Sequence, residues 1–285
     1  MGCVSFTVCR KSYWIVMWID VALDHASAKK LRPEIWIAVD ALRATAVMAT
    51  FLAEGGKSIY LTGDVEEARA LRREFNLLAM GEQGALPIPG FDFDNSPLAL
   101  LKARDRIQGR SVVHITSNGT KLVKMLTSLG GIIFAGSFLN LSACVSRAAE
   151  LLLGGSLVQS GIPVELDEVE KVFGDGRRRA GVGPGLVVAC AGRQGLPILD
   201  DTYFAGAFVK RLHALMPDAQ LLDGALIAQA VSDALPREDA FGQSHSGQIM
   251  AELGLQEEIL FCARVDVYSC VPQASFEGGH LVMKA

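Results

Sequence analysis

The constraint that most narrows the fold is a repeated alternation. Short, continuous apolar runs of strand length are followed, one after another, by amphipathic stretches of helical period. The runs are Met17–Leu23, Glu34–Val39, Lys57–Thr62, Leu77–Met80, Ser111–Thr116, Ile132–Ala135 and Leu186–Ala189. The helical stretches are 44–53, 65–75, from about 120 to 129, about 138–153 and about 201–215, with Asp64 as the N-cap of the second. Strands that are apolar on both faces and separated by helices belong to a sheet covered on both sides. The sequence therefore predicts a three-layer α/β/α fold around a mixed, largely parallel sheet. The segment 259–283 reads as two or three further strands, separated by Pro272 and Gly278-Gly279.

Two stretches interrupt the alternation. Gly81–Pro97 is rich in Gly, Pro and Asp and long for a connector, and such loops are usually functional or disordered. The stretch 154–185 is irregular and contains Arg177, Arg178 and Arg179, read as a solvated patch. The 285 residues suggest roughly two domains or one large α/β unit. The reading adopted is an N-terminal extension, 1–16, followed by one unit, 17–285, with a division into two lobes near 154–185 left open. The apolar stretch from Tyr13, behind Arg10 and Lys11, has some secretory character, with Ala26-Ser27-Ala28 as a cleavage-like site. Asp20 interrupts it, and 17–23 alternates as a strand does, so a first β-strand is expected, with Met17 an alternative start.

Composition removes several classes. Half the residues are hydrophobic and a fifth charged, which excludes intrinsic disorder. A net charge of −4 gives no basic footprint for nucleic acid. No apolar run reaches the roughly 18 residues of a membrane span. The six cysteines form no C-x-x-C pair or zinc-spaced cluster, as expected for reduced thiols in a cytoplasmic protein.

In an open parallel sheet, ligands bind beyond the carboxyl ends of the strands, where helix N-termini also favour anions. Asp40, Arg43 and Thr45 follow one strand. Thr116, Ser117, Asn118, Gly119 and Thr120 follow another; Gly136-Ser137 and Gly192-Arg193 follow two more. A carboxylate beside a guanidinium suggests a metal-plus-phosphate site, against the plain alternative of an N-cap with an i,i+3 ion pair. The Thr116–Thr120 turn is a flexible hydroxyl-bearing anion cradle or an ordinary capped turn. Asp200-Asp201 is a helix cap or a Mg²⁺-binding pair. Cys190 offers a nucleophile, although a buried structural thiol is the commoner role. His245 has no identifiable carboxylate partner.

Taken in order, Asp40–Thr45, Gly81-Glu82 with Gly84, Gly90-Phe91-Asp92, Asn95-Ser96-Pro97, Thr116–Thr120, Gly136–Asn140, Cys190-Ala191-Gly192, Asp200-Asp201 with Ala205-Gly206, Asp223 with Ala225, and Ser244-His245 resemble the 2-phosphosulfolactate phosphatase (ComB-like) family. The resemblance runs from about residue 17 to 271. It implies a Mg²⁺-dependent phosphoric monoester hydrolase acting on a small anionic phosphate ester, on the route to coenzyme M. Carried over, it implies Asp40, Arg43 and Asp201 as catalytic and Asp40, Glu82, Asp200 and Asp201 as metal ligands. Arg43, Thr45, Ser117, Asn118, Gly119, Thr120 and Ser137 are the implied substrate contacts. Asp200 departs from the Glu of the family's usual Glu-Asp pair, which shortens that ligand's reach. Homo-oligomerisation, a Cys190-based hydrolase and a non-enzymatic anion-binding module stay open.

Overall fold

A computed structural model describes residues 17–154 and 183–285. The extension 1–16, the arginines 177–179 and nearly all of the stretch proposed to divide two lobes lie outside the described residues.

The alternation is realised as β1 Trp18–Ala22, α1 His25–Ala28, β2 Ile35–Val39, α2 Ala44–Ala53, β3 Ser58–Thr62, α3 Val65–Phe75, β4 Leu78–Gln83 and β5 Leu86–Pro87. The chain continues through α4 Pro97–Lys102, α5 Arg104–Ile107, β6 Ser111–Ile115, α6 Gly119–Thr127, β7 Ile132–Gly136, a 3₁₀ turn Phe138–Asn140 and α7 Leu141–Gly154. After the break come β8 Gly185–Cys190, α8 Leu199–Leu215, β9 Gln220–Leu221, α9 Asp223–Ala234, α10 Arg237–Gln243, α11 His245–Glu252, α12 Gln256–Cys262, β10 Gln273–Glu277 and β11 His280–Lys284.

The sheet order is β5-β4-β6-β3-β11-β10-β7-β2-β8-β1-β9. Two parallel blocks, β4-β6-β3 and β7-β2-β8-β1-β9, flank the hairpin β10-β11. The hairpin is antiparallel within itself and to β3 and β7, so the blocks have opposite polarity in the ladder. Helices cover both faces, giving the three-layer α/β/α arrangement.

Burial follows the pleat of the strands. Ile35, Ile37 and Val39 of β2 enter one core with α7 and α8, whereas Trp36 and Ala38 enter another with α2 and α6. That second core also takes Ile59, Met80 and Val112 from the other block. The sheet thus bends around α2, whose residues are all buried except Ala53. A helix apolar on every side is suited to such a place. The bend brings the carboxyl ends of the two blocks together: Gly119, after β6, abuts Asp40, after β2.

The C-terminal expectation needs correction. Residues 259–262 complete α12, and only 273–284 forms strands. A short apolar run such as Ile259–Cys262 has no period that separates strand from helix. Glu257 and Glu258 in the first turn favour the helix through its dipole. The 81–97 loop is also more regular than expected, because β4 continues to Gln83 and turns back as β5.

Candidate active site

Asp40 leaves the end of β2 and is 9% exposed. Thr45 fixes its backbone: the Thr45 hydroxyl accepts from the Asp40 amide at 3.3 Å and donates to the Asp40 carbonyl at 2.9 Å. The Asp40 carboxylate receives a long contact, 3.4 Å, from the Ala44 amide, and the Gly119 amide lies against it as well. Asp200 and Asp201 in the first turn of α8 are also buried. Asp201 joins two strand ends, Oδ1 accepting from Ala41 N at 2.8 Å and Oδ2 from Gly192 N at 2.9 Å. Asp200 Oδ1 is buried without a partner.

Three carboxyls in one dry region oppose one another's ionisation. Burial, reinforced by the Glu82 charge, pushes Asp40 up to about 6. Burial, reinforced by Asp40, pushes Asp200 up to about 7. Burial and both neighbouring carboxylates push Asp201 well above the usual carboxylate range. A cation would relieve this repulsion, and hard oxygen donors suit Mg²⁺. Among the described residues, no group of three His, Cys, Asp or Glu side chains converges as a complete metal cage. A site with one or two protein carboxylates, completed by water and substrate oxygens, is the ordinary Mg²⁺ arrangement. The orphaned Asp200 oxygen and the weakly engaged Asp40 fit it.

Asp40 opens on a cavity of about 160 Å³, also lined by Arg43, Glu82, Asn95, Ser117, Asn118, Arg193, Ser246 and Met250. Arg43 is 5% exposed, and its Nη1 lacks a hydrogen bond. Its nearest counter-charge is Glu258, at 3.9 Å. Asn118 caps α6 by position alone and makes no side-chain cap bond. Glu82 is tethered: Oε1 accepts from Ser117 N at 2.7 Å, and Oε2 from Ser117 Oγ at 3.1 Å and Ala85 N at 2.6 Å.

The family described as 2-phosphosulpholactate phosphatase matches residues 22–162 and 180–276. The chain belongs to the 2-phosphosulpholactate phosphatase family. A "Probable 2-phosphosulfolactate phosphatase" of Thermus thermophilus is 32% identical over 241 residues, covering 84% of this chain and 87% of that protein. Proteins carrying the same description from Thermotoga petrophila and Carboxydothermus hydrogenoformans are 30% and 28% identical over 256 and 271 residues. They cover 89% and 94% of this chain, and 94% and 98% of their own lengths. Among the described residues of this family member, no helix is long and apolar enough to cross a membrane.

Several implied contacts have other work in this 2-phosphosulpholactate phosphatase relative. Thr45 bonds the Asp40 backbone. Thr120 is closed on Thr116, with Oγ1 donating to the Thr116 carbonyl at 3.1 Å. Ser137 forms a capping box with Asn140. None of the three lines the cavity; each is a buried hydroxyl that a neighbouring group satisfies first, a backbone carbonyl for Thr45 and Thr120 and the Asn140 side chain for Ser137. Ser117 does line it, but Glu82 takes both its donors. Gly119 packs on Asp40: a Cβ there would lie 2.7 Å from Asp40 Oδ2 and 2.6 Å from Ala44 Cβ. Arg43, Asn118 and Asp40 do meet. Asn95 and Arg193 lay in stretches already of interest but carried no assigned chemistry, and Ser246 and Met250 come from α11, which only tertiary packing brings to the cavity.

Thr45→Val should lower unfolding free energy by about 1–2 kcal/mol in urea denaturation, as expected for one or two net hydrogen bonds. KM should stay near wild type, whereas a substrate-contacting hydroxyl would raise it. Cys190 is wholly buried, and burial, with Asp201 and Asp200 adding, pushes its thiol far above the usual range. That opposes thiolate formation and the Cys190 nucleophile reading. Iodoacetamide should leave Cys190 unmodified in the native protein by peptide mass mapping, with activity retained.

Proposed function

We propose that the chain is a Mg²⁺-dependent phosphoric monoester hydrolase acting on 2-phosphosulfolactate or a closely related small-acid phosphate. The observation that carries this is the meeting, in one cavity, of Asp40 with a buried arginine whose Nη1 lacks a hydrogen bond, with the unpartnered Asp200 oxygen buried behind Asp40. Family membership supplies the reaction class.

Asp40 and Asp200 would hold the cation, and Asp201 would act at one remove by pinning the turns after β2 and β8. Bound there, Mg²⁺ would supply charge neutralisation at the phosphoryl oxygens. Arg43 offers a planar fork matched to two phosphoryl oxygens, and Asn118 offers a side-chain amide. Water adds to phosphorus as the ester P–O bond breaks, and the departing alkoxide takes up a proton. Positioning and charge neutralisation carry most of such a reaction.

The test is a phosphate-release screen over the phosphates of sulfolactate, lactate and glycerate, with Mg²⁺ and with EDTA. Metal-dependent release with a preference among the three supports the reading. Tight anion binding without release would leave a binding module instead. Arg43→Lys keeps the charge but loses the fork, so kcat/KM should fall about tenfold or more, in the range of a charged hydrogen bond. Wild-type kinetics in that variant would remove Arg43 from the site.

A further inference from the structure

One wall of the cavity has no part in the chemistry above. Asn95 lies between β5 and α4, is 4% exposed, and lines the cavity. Its Oδ1 is 3.0 Å from Nε2 of His114, a wholly buried residue of β6. The other ring nitrogen, Nδ1, is buried without a partner. Burial pulls the imidazole down to about 3, so the ring is neutral across the physiological range and carries one proton.

Two arrangements are open to a neutral ring. With the proton on Nε2, the ring donates to Asn95 Oδ1, and only a lone pair on Nδ1 goes unmatched. With the proton on Nδ1, an N–H is orphaned in the core and the Asn95 amide has to turn over. Orphaned buried N–H groups are rarer than under-satisfied acceptors. The first arrangement holds the Asn95 oxygen towards His114 and directs Nδ2 away from it. Among the described residues, Nδ2 makes no hydrogen bond, yet it is not among the buried unpaired atoms. It therefore opens on the cavity that Asn95 lines. The next residue, Ser96, donates to Glu258, which faces Arg43. One short segment thus sets both this amide and the neighbourhood of the guanidinium.

We infer that His114 is a positioning residue that locks Asn95 as a hydrogen-bond donor to an anionic oxygen of the bound substrate. An asparagine free to flip would present its oxygen as readily as its nitrogen, and an oxygen there repels an oxyanion. The buried ring removes that choice. The ligand chemistry is an oxyanion, either the phosphoryl group or the carboxylate or sulfonate of the acid portion. That chemistry rests on the phosphatase reading; the locked amide does not.

The test measures dissociation constants for inorganic phosphate and for sulfolactate by calorimetry, with Mg²⁺ present. It compares wild type with Asn95→Ala, His114→Leu and His114→Gln, the last of which retains a donor. Asn95→Ala and His114→Leu should weaken at least one of the two anions by about tenfold or more, as for a hydrogen bond to a charged group. His114→Gln should restore most of that loss. The anion that loses affinity identifies the group Asn95 faces. In wild type, imidazole ¹⁵N shifts should report a protonated Nε2 and a bare Nδ1. Unchanged affinity for both anions in Asn95→Ala, or an Nδ1–H ring, would overturn the inference. So would a His114→Leu variant that melts earlier but binds both anions normally. A wild type that binds these anions yet releases no phosphate defeats the hydrolase reading alone; one that binds neither defeats both.

Discussion

Asp40→Asn should reduce kcat/KM for phosphate release by more than about 100-fold, beyond the roughly 10–100-fold that losing an outer-shell partner costs a metal site. A neutral amide is a poorer partner for a hard cation, and Asp40 also borders the cavity. The same change should not destabilise the metal-free protein, because it removes one of three carboxyls that oppose one another's ionisation. The pH dependence has a definite sign. Asp40 and Asp200 titrate near 6 and 7 in the fold, above the unfolded carboxylate value of 3.8. Between those limits the folded state holds more protons than the unfolded state, so metal-free stability falls as pH rises from about 4 to about 7. The stabilisation is fully present below the unfolded value and is lost through the folded ones. Asp40→Asn should flatten that fall, seen by following urea midpoints against pH in EDTA. A variant with lower activity and the wild-type pH profile would place Asp40 outside the coupled cluster.

Gly119→Val should damage the site through Asp40 itself. Gly119 does not occupy the left-handed region; what it provides is space, with Asp40 Oδ2 and Ala44 Cβ both inside contact distance of any Cβ. Overpacking at such a position costs about 1–3 kcal/mol of stability. A displacement of Asp40 by about 1 Å can cost on the order of 10²-fold in rate. Both a lower melting temperature and half-saturation at higher Mg²⁺ are therefore expected in one sample. A fall in melting temperature with wild-type metal dependence and phosphate affinity would leave Gly119 a packing glycine only.

The short strands β5 and β9 and the helices of 223–262 gave no reading in the sequence. The longer strands were legible as continuous apolar runs bounded by turn residues, the helices after β2, β3, β6, β7 and β8 by their period, and their order implied a covered sheet. The place of β10-β11 between the two blocks was not. It rests on pairings such as Gln273 with Phe134 and Val282 with Tyr60, which no local period encodes. At the site, Asp40, Arg43 and Asn118 were legible from their places after strands. Thr45, Thr120 and Ser137 look the same in sequence, but a short hydroxyl side chain bonds the nearest polar group of its own turn before it reaches a ligand. Glu82 and Ser117 were both expected at the site, but their mutual bond appears only when β4 and β6 lie side by side. Asn95 carried too little local signal, since its orientation depends on a histidine in a different strand.

Initial rates of phosphate release from 2-phosphosulfolactate, measured against Mg²⁺ concentration for wild type, Asp40→Asn and Asp200→Asn, test the central claim most directly. The account predicts saturable metal activation in wild type, abolished by EDTA, with half-saturation displaced to higher Mg²⁺ in both variants. Identical metal curves in all three proteins, or release that EDTA leaves untouched, would contradict it.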